Sequence, residues 1–153
     1  MTDPTHASPL ALQVNVTRRS PGATLPAYQT SGAAGFDLAA SEDVTIAPGQ
    51  VALVPTGLVI GVPAGHFLGV FARSSTPLKR GLLVANGVGV VDADYSGPDD
   101  EVKVQVLNFT QAPVTVRAGD RIAQGVVLQF ARAAFVEGET TGPSRGGFGS
   151  TGR

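Results

Sequence analysis

The sequence predicts an all-β fold of the sandwich or jelly-roll type, and three observations lead to that prediction. Glycine and proline account for 20 and 11 of the 153 residues and recur at short intervals. The segments between them are rich in β-branched residues, which favour strands. No segment keeps a helical period over three turns, and the nearest, residues 78–86, has a glycine at its centre. Many short strands separated by turn residues are typical of a sandwich or jelly roll.

The predicted strands follow one another along the chain with turn residues between them. They are LALQVNVT (10–17), DVTIAP (43–48), QVALVPTGLVIGVP (50–63), HFLGVFAR (66–73), EVKVQVLNFT (101–110), APVTVRA (112–118) and IAQGVVLQFA (122–131). The segment 101–110 alternates most clearly. Val102, Val104 and Val106 fall on one face, and Lys103 and Gln105 fall on the other. We therefore expect the valines to face the core.

The segment GVGVVDADYSGP, residues 87–98, carries two carboxylates one residue apart. If the strand continued through it, alternation would place Asp92 and Asp94 on one face and Tyr95 on the other. Two like charges on one face are unfavourable unless a cation or hydrogen-bond donor meets them.

Composition and charge narrow the class of protein. The chain is long enough for one domain, and 42% hydrophobic with 15% charged residues is typical of a globular protein. The absence of cysteine excludes disulfides and thiolate zinc sites, and only two histidines, His6 and His66, make a histidine metal site a poor hypothesis. The net charge is −1 and no basic run occurs, so a nucleic-acid polymer is not an expected partner.

The amino-terminal residues 1–10 form a polar leader that lacks the pattern of a secretory signal. The longest apolar runs are too short to cross a bilayer, so no membrane partner is expected. These features predict a soluble cytoplasmic protein.

Two short segments contain candidate ligand-binding side chains. In GAAGFDLAA, residues 32–40, Asp37 follows small residues that permit close backbone approach, but this segment alone is a weak signal and favours an aspartate at a turn or strand end. In FARSSTPLKRGL, residues 71–82, Arg73, Ser74 and Ser75 supply donors suited to phosphate oxygens. The alternative is a polar loop with a helix-capping serine.

Two further segments leave alternatives open. Gln124 in GDRIAQGVVLQF shares a predicted face with Ile122 and Val126, so its amide needs partners from the fold or from a ligand. Residues 138–153 are rich in glycine with Phe148 as their one large apolar side chain. Such a segment is either a frayed tail or a flexible arm whose backbone N–H groups wrap an anion.

In order along the chain, AAGFDLAA, RSS, NGVGVVDADYSG, GDRIAQ and RGGFGSTG resemble the five motifs of the trimeric dUTPase family. The resemblance extends from about residue 32 to the end. It implies a jelly-roll homotrimer with active sites shared between subunits. It also implies Mg²⁺-dependent hydrolysis of dUTP to dUMP and pyrophosphate, which keeps uracil out of DNA and supplies dUMP for thymidylate synthesis. Residues 1–137 would form the jelly-roll domain, and residues 138–153 a lid over the active site.

The resemblance also implies roles for individual residues. Asp92 matches the general base that deprotonates the attacking water, and Tyr95 matches the residue that excludes a 2′-hydroxyl. The uracil-reading positions match Asn86, Val90, Val91 and Lys103. The phosphate-binding positions match Arg73, Ser74, Ser75, Gln124 and, from the last motif, Arg145. Phe148 matches the aromatic residue that covers uracil, and Asp37 matches a carboxylate that reaches the metal only through water.

The sequence departs from the family pattern at three places. Ser75 stands where glycine is common, and Arg145 lies two residues closer to Phe148 than is usual. Pro98, Asp99 and Asp100 form an insertion of about three residues, which could serve regulation, metal binding or only a longer turn. Asp94 has no matching catalytic role, and we expect it to form an interface or intra-hairpin ion pair.

Two other functions fit the same fold. A dCTP deaminase or bifunctional deaminase–dUTPase needs a catalytic glutamate, and Glu101 is the nearby candidate although it follows the insertion. A catalytically silent nucleotide-binding regulatory trimer would lack the base, whereas Asp92 is present.

Overall fold

Eleven strands and one short helix make up residues 11–150, the part of the chain that the computed structural model describes. The strands are β1 (Asn15–Arg18), β2 (Phe36–Ala39), β3 (Val44–Ile46), β4 (Val51–Pro55), β5 (Leu58–Gly61), β6 (His66–Ala72), β7 (Leu82–Val84), β8 (Gly89–Val91), β9 (Lys103–Asn108), β10 (Val114–Val116) and β11 (Arg121–Gln129), and the helix is α1 (Ser75–Arg80). The predicted all-β fold is confirmed. The polar leader predicted for residues 1–10, and residues 151–153 of the predicted lid, lie outside the described residues.

The strands pair antiparallel in four sheets. The largest has the order β2-β11-β6-β8, and a three-stranded sheet has the order β4-β9-β7. Two pairs, β1-β5 and β10-β3, complete the fold. Because most neighbouring strands are distant in sequence, the fold brings motifs from the beginning, middle and end of the chain into one sheet.

The core lies between the sheets and is made of alternating apolar side chains. Its fully buried members are Leu38, Ile46, Leu58, Ile60, Leu68, Leu82, Ile122, Val54, Val102, Val104, Val106 and Val116. The alternation predicted for residues 101–110 is confirmed, since Val102, Val104 and Val106 are buried while Lys103 is exposed. Burying each such side chain stabilises the fold by about 1.5–3 kcal/mol.

The connection between β9 and β10 depends on one buried amide. Asn108 is fully buried, and its Nδ2 donates to the carbonyls of Ile46 at 2.9 Å and Ala112 at 2.8 Å. Its Oδ1 accepts from the backbone N–H of Thr110 at 2.9 Å and from the hydroxyl at 2.8 Å. All four hydrogen bonds of the amide are made, which removes the cost of burying it.

The helix α1 and the strand β2 were not predicted. The helix is six residues long and ends at Gly81, which has φ +67°, so the region 78–86 divides between helix and β7. Asp37 lies inside β2 rather than at a turn or strand end. The strand was missed because its four residues, without a β-branched side chain among them, give a weak strand pattern. No helix in residues 11–150 is long and apolar enough to cross a membrane.

The strand expected to continue through Asp92 and Asp94 ends earlier, so the prediction of a shared strand face is wrong. The strand β8 ends at Val91, and the Tyr95 N–H donates to the Asp92 carbonyl at 3.1 Å. The segment is therefore a turn. Aspartate is favoured at the first position of such turns, which explains why turn formation prevails over alternation here.

Candidate active site

A pocket of about 310 Å³ lies beside β8 and contains the residues that the sequence assigned to the base, the sugar and the attacking water. Its lining includes Asn86, Val90, Val91, Asp92, Tyr95 and Lys103. The pocket is also lined by Glu101, which was considered only as a deaminase glutamate, and by residues to which no motif gave a role, namely Leu53, Val70, Gly89, Val102 and Gln105. Leu53 and Gln105 face each other across β4 and β9, a register that no sequence motif reveals.

Backbone groups dominate one wall of the pocket. The strand β8 is the edge of its sheet, with Gly89, Val90 and Val91 paired on one side to β6. An edge strand keeps N–H and C=O groups directed away from its neighbour. These groups are fixed in position and can read the donor and acceptor edge of a planar ring. The amide of Asn86 borders the same pocket.

The turn after β8 brings a carboxylate and an aromatic ring to one pocket. Asp92 and Tyr95 are its first and last residues, and both line the cavity. The Tyr95 hydroxyl donates to the Glu101 carbonyl at 3.2 Å, which fixes the direction of the ring. Asp94 makes no salt bridge within residues 11–150, so the intra-hairpin ion pair expected for it is not formed.

The inserted residues Pro98–Asp100 form a tight turn, and both of its carboxylates contact other residues of the chain. The Asp100 carboxylate accepts from the Gly97 N–H at 2.7 Å, and the Asp100 N–H donates to the Gly97 carbonyl at 3.1 Å. Asp99 pairs with Arg19 at 2.9 Å. Of the uses considered for the insertion, the contacts favour the longer turn.

A second group of predicted residues does not line the pocket and consists of Asp37, Arg73, Ser74, Ser75 and Gln124. Arg73 Nε lies 2.8 Å from Asp37 Oδ1, and Arg121 Nη1 lies 3.1 Å from Asp37 Oδ2. Only 13% of the Asp37 side chain is exposed, and a carboxylate buried to this extent needs its charge compensated. The two guanidinium groups supply that compensation. Arg121 was missed because its proximity to Asp37 depends on the pairing of β2 with β11.

The Ser74 hydroxyl makes no hydrogen bond with residues 11–150. It precedes α1 but makes no side-chain capping hydrogen bond, so the capping alternative is wrong for this residue. The buried Thr76 joins the start of α1 to β11: its Oγ1 accepts from the Arg73 N–H at 3.1 Å and donates to the Ile122 carbonyl at 3.0 Å. Ser75 Oγ accepts from Arg73 Nη1 at 3.4 Å. The exposed Ser74 hydroxyl is therefore able to bind a ligand.

Gln124 lies beside Asp37 in the β2–β11 register. Its Nε2 donates to the Ala72 carbonyl at 3.0 Å, so the fold itself supplies one partner. A register shift between Arg121 and Ala123 interrupts the alternation of β11. Ile122 is fully buried while Gln124 is half-buried, so these two residues do not share the face that the alternation predicted. Its Oε1 remains without a hydrogen bond from residues 11–150.

An ion pair fixes α1 against the turn before β11. Arg80 Nη1 lies 2.8 Å from Asp120 Oδ2, and the Arg117 N–H donates to the same oxygen at 2.9 Å. The hydrogen bond from Arg80 is the main reason why the pKa of Asp120 lies below its ordinary value. This contact links the last residue of α1 to the turn that precedes β11, the strand that contains Gln124.

Residues 130–150 form an arm outside the sheets. Phe135, Val136 and Phe148 are almost fully exposed, and Arg145 is exposed too. Phe148 has φ +49° in a turn closed by a 3.0 Å bond from the Ser150 N–H to the Gly147 carbonyl. Neither Arg145 nor Phe148 lines the pocket of its own chain.

The described residues contain no group of three histidine, cysteine, aspartate or glutamate side chains that could hold a metal ion. Both oxygens of Asp37 already pair with arginines. Direct coordination of a metal ion by Asp37 therefore does not fit this arrangement.

Comparison with known proteins gives one family. The dUTPase family model matches residues 22–152. The deoxyuridine 5′-triphosphate nucleotidohydrolase of Anaeromyxobacter sp. (strain Fw109-5) is 47% identical over 149 residues, covering 95% of this chain and 99% of that protein. The crystal structure of dUTPase from Streptococcus mutans is similar with a TM-score of 0.73 and 35% identity, covering 80% of this chain and 98% of that one.

A structure of Staphylococcus bacteriophage 80alpha dUTPase with dUPNHPP has a TM-score of 0.81 at 21% identity, covering 92% of this chain and 98% of that one. At that identity the likeness shows the fold alone. The family model and the bacterial relative decide the membership, and this chain belongs to the dUTPase family.

Proposed function

We propose that this protein hydrolyses dUTP to dUMP and pyrophosphate. The observation that carries the proposal is the pocket beside β8, which brings together a carboxylate, an aromatic ring and an edge strand within one cavity. The carboxylate can activate water, the ring can exclude a sugar with a 2′-hydroxyl, and the edge strand can form hydrogen bonds to the base. The product dUMP would supply thymidylate synthesis, and removal of dUTP would keep uracil out of DNA.

The proposed chemistry is attack of water on the α-phosphorus. Asp92 accepts a proton from the water, the water oxygen bonds to the α-phosphorus, and the bond to the oxygen that bridges the α- and β-phosphates breaks. Pyrophosphate leaves with that oxygen. Such a reaction depends on an aligned nucleophile and on charge stabilisation. The exposed carboxylate of Asp92 at the pocket would align the attacking water.

Base and sugar selection are assigned to the pocket walls. Val90 and Val91 on the edge strand, with Asn86 and Lys103, are proposed to read uracil, because a wrong base would leave buried donors or acceptors unpaired. Tyr95, fixed by its hydroxyl, is proposed to occupy the space that a 2′-hydroxyl requires.

The triphosphate is proposed to contact the second group and the arm. Ser74 offers a hydroxyl that makes no capping hydrogen bond, Gln124 offers an amide, and Arg73 and Ser75 offer further donors. From the arm, Arg145 would bind the γ-phosphate and Phe148 would cover the base, with residues 138–153 acting as a lid.

Mg²⁺ is the proposed cofactor and would be carried largely by the triphosphate. Asp37 would contact it through water, in keeping with the arginines that occupy its oxygens. When bound, the ion would neutralise phosphate charge during displacement.

A homotrimer is proposed because one chain presents an incomplete site. Asp37, Arg73, Ser74 and Gln124 do not line the pocket, and the arm makes no part of it. The three-stranded sheet also exposes Val51, Leu53 and Leu83 on its outer face. Further copies of the chain would cover that face and bring the second group to the pocket.

The alternatives receive no support from the site. Glu101, the candidate glutamate for a deaminase, accepts the Gly57 N–H at 2.8 Å with one oxygen and lies 3.5 Å from Arg19 with the other. The exposed carboxylate of Asp92 argues against a silent regulator. The cytoplasmic location expected from the sequence stays a prediction.

Pyrophosphate release measured with dUTP, dCTP, dTTP and UTP tests the proposal. We expect release with dUTP far above the others, and a loss of about 10²–10⁴-fold in Asp92→Asn, because the amide cannot accept the proton. Ammonia release from dCTP would favour the deaminase. Turnover by Asp92→Asn at the level of the unaltered protein would contradict the role of the base.

A further inference from the structure

Arg19 anchors the turn that follows Tyr95, although it lies outside the pocket. It follows β1, and its guanidinium contacts two acidic residues 80 and 82 positions away. Nη2 lies 2.9 Å from Asp99 Oδ1, and Nη1 lies 3.5 Å from Glu101 Oε2. The sequence analysis gave Arg19 no role.

The Arg19–Glu101 contact is longer than the Arg19–Asp99 contact, but it matters more for stability because Glu101 is more buried than Asp99. The Asp99 side chain is 89% exposed, so water screens its pair with Arg19 and the pair contributes little. The Glu101 side chain is only 13% exposed. A carboxylate at that depth needs its charge compensated, and within residues 11–150 Arg19 and the Gly57 N–H at 2.8 Å compensate it.

The backbone fixes Arg19 and Glu101 to the same residue. The Arg19 N–H donates to the Gly57 carbonyl at 2.7 Å, while the Gly57 N–H donates to Glu101. Gly57 has φ +68°, and a Cβ there would collide with Ser20 Oγ and lie 2.9 Å from the Ala23 Cβ. This junction therefore has little freedom to move.

Glu101 connects this junction to the pocket. Its carbonyl accepts the Tyr95 hydroxyl at 3.2 Å, and Glu101 itself lines the cavity. We propose that Arg19 is a positioning residue for sugar selection: it holds Glu101, and Glu101 holds the ring of Tyr95 against the place of a 2′-hydroxyl. This inference rests on the proposed hydrolysis of dUTP.

The test is the ratio of kcat/KM for dUTP to kcat/KM for UTP in Arg19→Met, which keeps the stem and removes the charge. We expect the ratio to fall at least about 3-fold, within the roughly 10²-fold by which an apolar wall rejects an added hydroxyl. The fall should come from better use of UTP, with kcat for dUTP almost unchanged. Arg18→Met is the matched control, since Arg18 is an exposed neighbour on β1 without a salt bridge in residues 11–150. Its ratio should not change.

A double-mutant cycle with Tyr95→Phe tests the route. If Arg19 acts through the tyrosine hydroxyl, Arg19→Met should lower the ratio in the unaltered protein and have no further effect in Tyr95→Phe. An equal fall in both backgrounds would overturn the proposed route. If Arg19→Met does not fold, Glu101→Gln replaces it, because it keeps an acceptor for Gly57 and loses the charge paired with Arg19.

Activity of the unaltered protein separates the role of Arg19 from the proposed hydrolysis of dUTP. An unaltered protein without dUTP hydrolysis would overturn the proposed function and this inference with it. An unaltered protein that hydrolyses dUTP, with the same dUTP-to-UTP ratio in Arg19→Met and Arg18→Met, would overturn the role of Arg19 alone.

Discussion

Replacing Gly35 with alanine should displace the amide of Gln124 without disturbing the core. Gly35 does not have a positive φ, so its backbone accepts alanine. A Cβ at this position would lie 2.5 Å from Gln124 Oε1 and 3.2 Å from its Cδ. Because the obstacle is the end of a flexible side chain, the amide must move away from its 3.0 Å bond to the Ala72 carbonyl.

The magnitude follows from these distances. Ordinary contact begins at 3.4 Å, so the oxygen must retreat by 3.4 − 2.5, or about 0.9 Å. Misplacing a group near the reacting atoms by about 1 Å can cost up to about 10²-fold in rate. Loss of one neutral hydrogen bond costs only about 0.5–1.5 kcal/mol of folding free energy. We therefore expect turnover to fall by about 10–10²-fold with a small decrease in Tm.

The assay is pyrophosphate release from dUTP, with thermal unfolding measured on the same samples. Gly32→Ala is the matched control, since a Cβ at Gly32 meets nothing within 4 Å. In a Gln124→Ala background the collision is absent, so Gly35→Ala should have no further effect on turnover. Full activity of Gly35→Ala, or an equal loss in Gly32→Ala, would refute the reasoning.

Three further predictions concern the sugar, the pH and the arm. Tyr95→Ala should narrow the preference for dUTP over UTP by up to about 10²-fold, and an unchanged ratio in competition kinetics would rule out the ring as the sugar filter. The pKa of Asp120 is lowered in the folded protein, so its contribution to stability is present above the ordinary value of 3.8 and is lost as pH falls through the lower folded value. Asp120→Asn should therefore unfold at lower urea concentration than the unaltered protein at pH 7, and the two midpoints should converge below pH 3.8; a constant difference at all pH values would show another cause. Truncation before Ser144 should leave Tm almost unchanged and severely lower turnover, because Phe148 is exposed on its own chain; full activity after truncation would make the arm dispensable.

Local patterns in the sequence predicted the parts of the fold that depend on local chemistry. The alternation in residues 101–110 marks β9 because one face is buried and the other meets solvent. The pocket residues near Asp92 and Tyr95 were also predictable, since a short turn keeps them together.

The remaining features depend on contacts between distant residues. Three consecutive hydroxyl residues follow Arg73, and only the approach of β11 decides that Thr76 is buried while Ser74 stays free. Arg121 meets Asp37 across 84 positions of sequence, which no local pattern encodes. For the same reason the contact of Arg19 with Glu101 could not be predicted from spacing.

Subunit mixing tests most directly whether the pocket and the second group act in one site shared between chains. One variant carries Asp92→Asn, and the other carries Ser74→Ala with Gln124→Ala; each alone should be nearly inactive. After the two are unfolded together at equal amounts and refolded, we predict recovery of about one quarter of the unaltered activity, because about one quarter of randomly assembled shared sites combine an intact pocket with an intact second group. Activity no higher than that of the separate variants would show that each site lies within a single chain and would contradict the account.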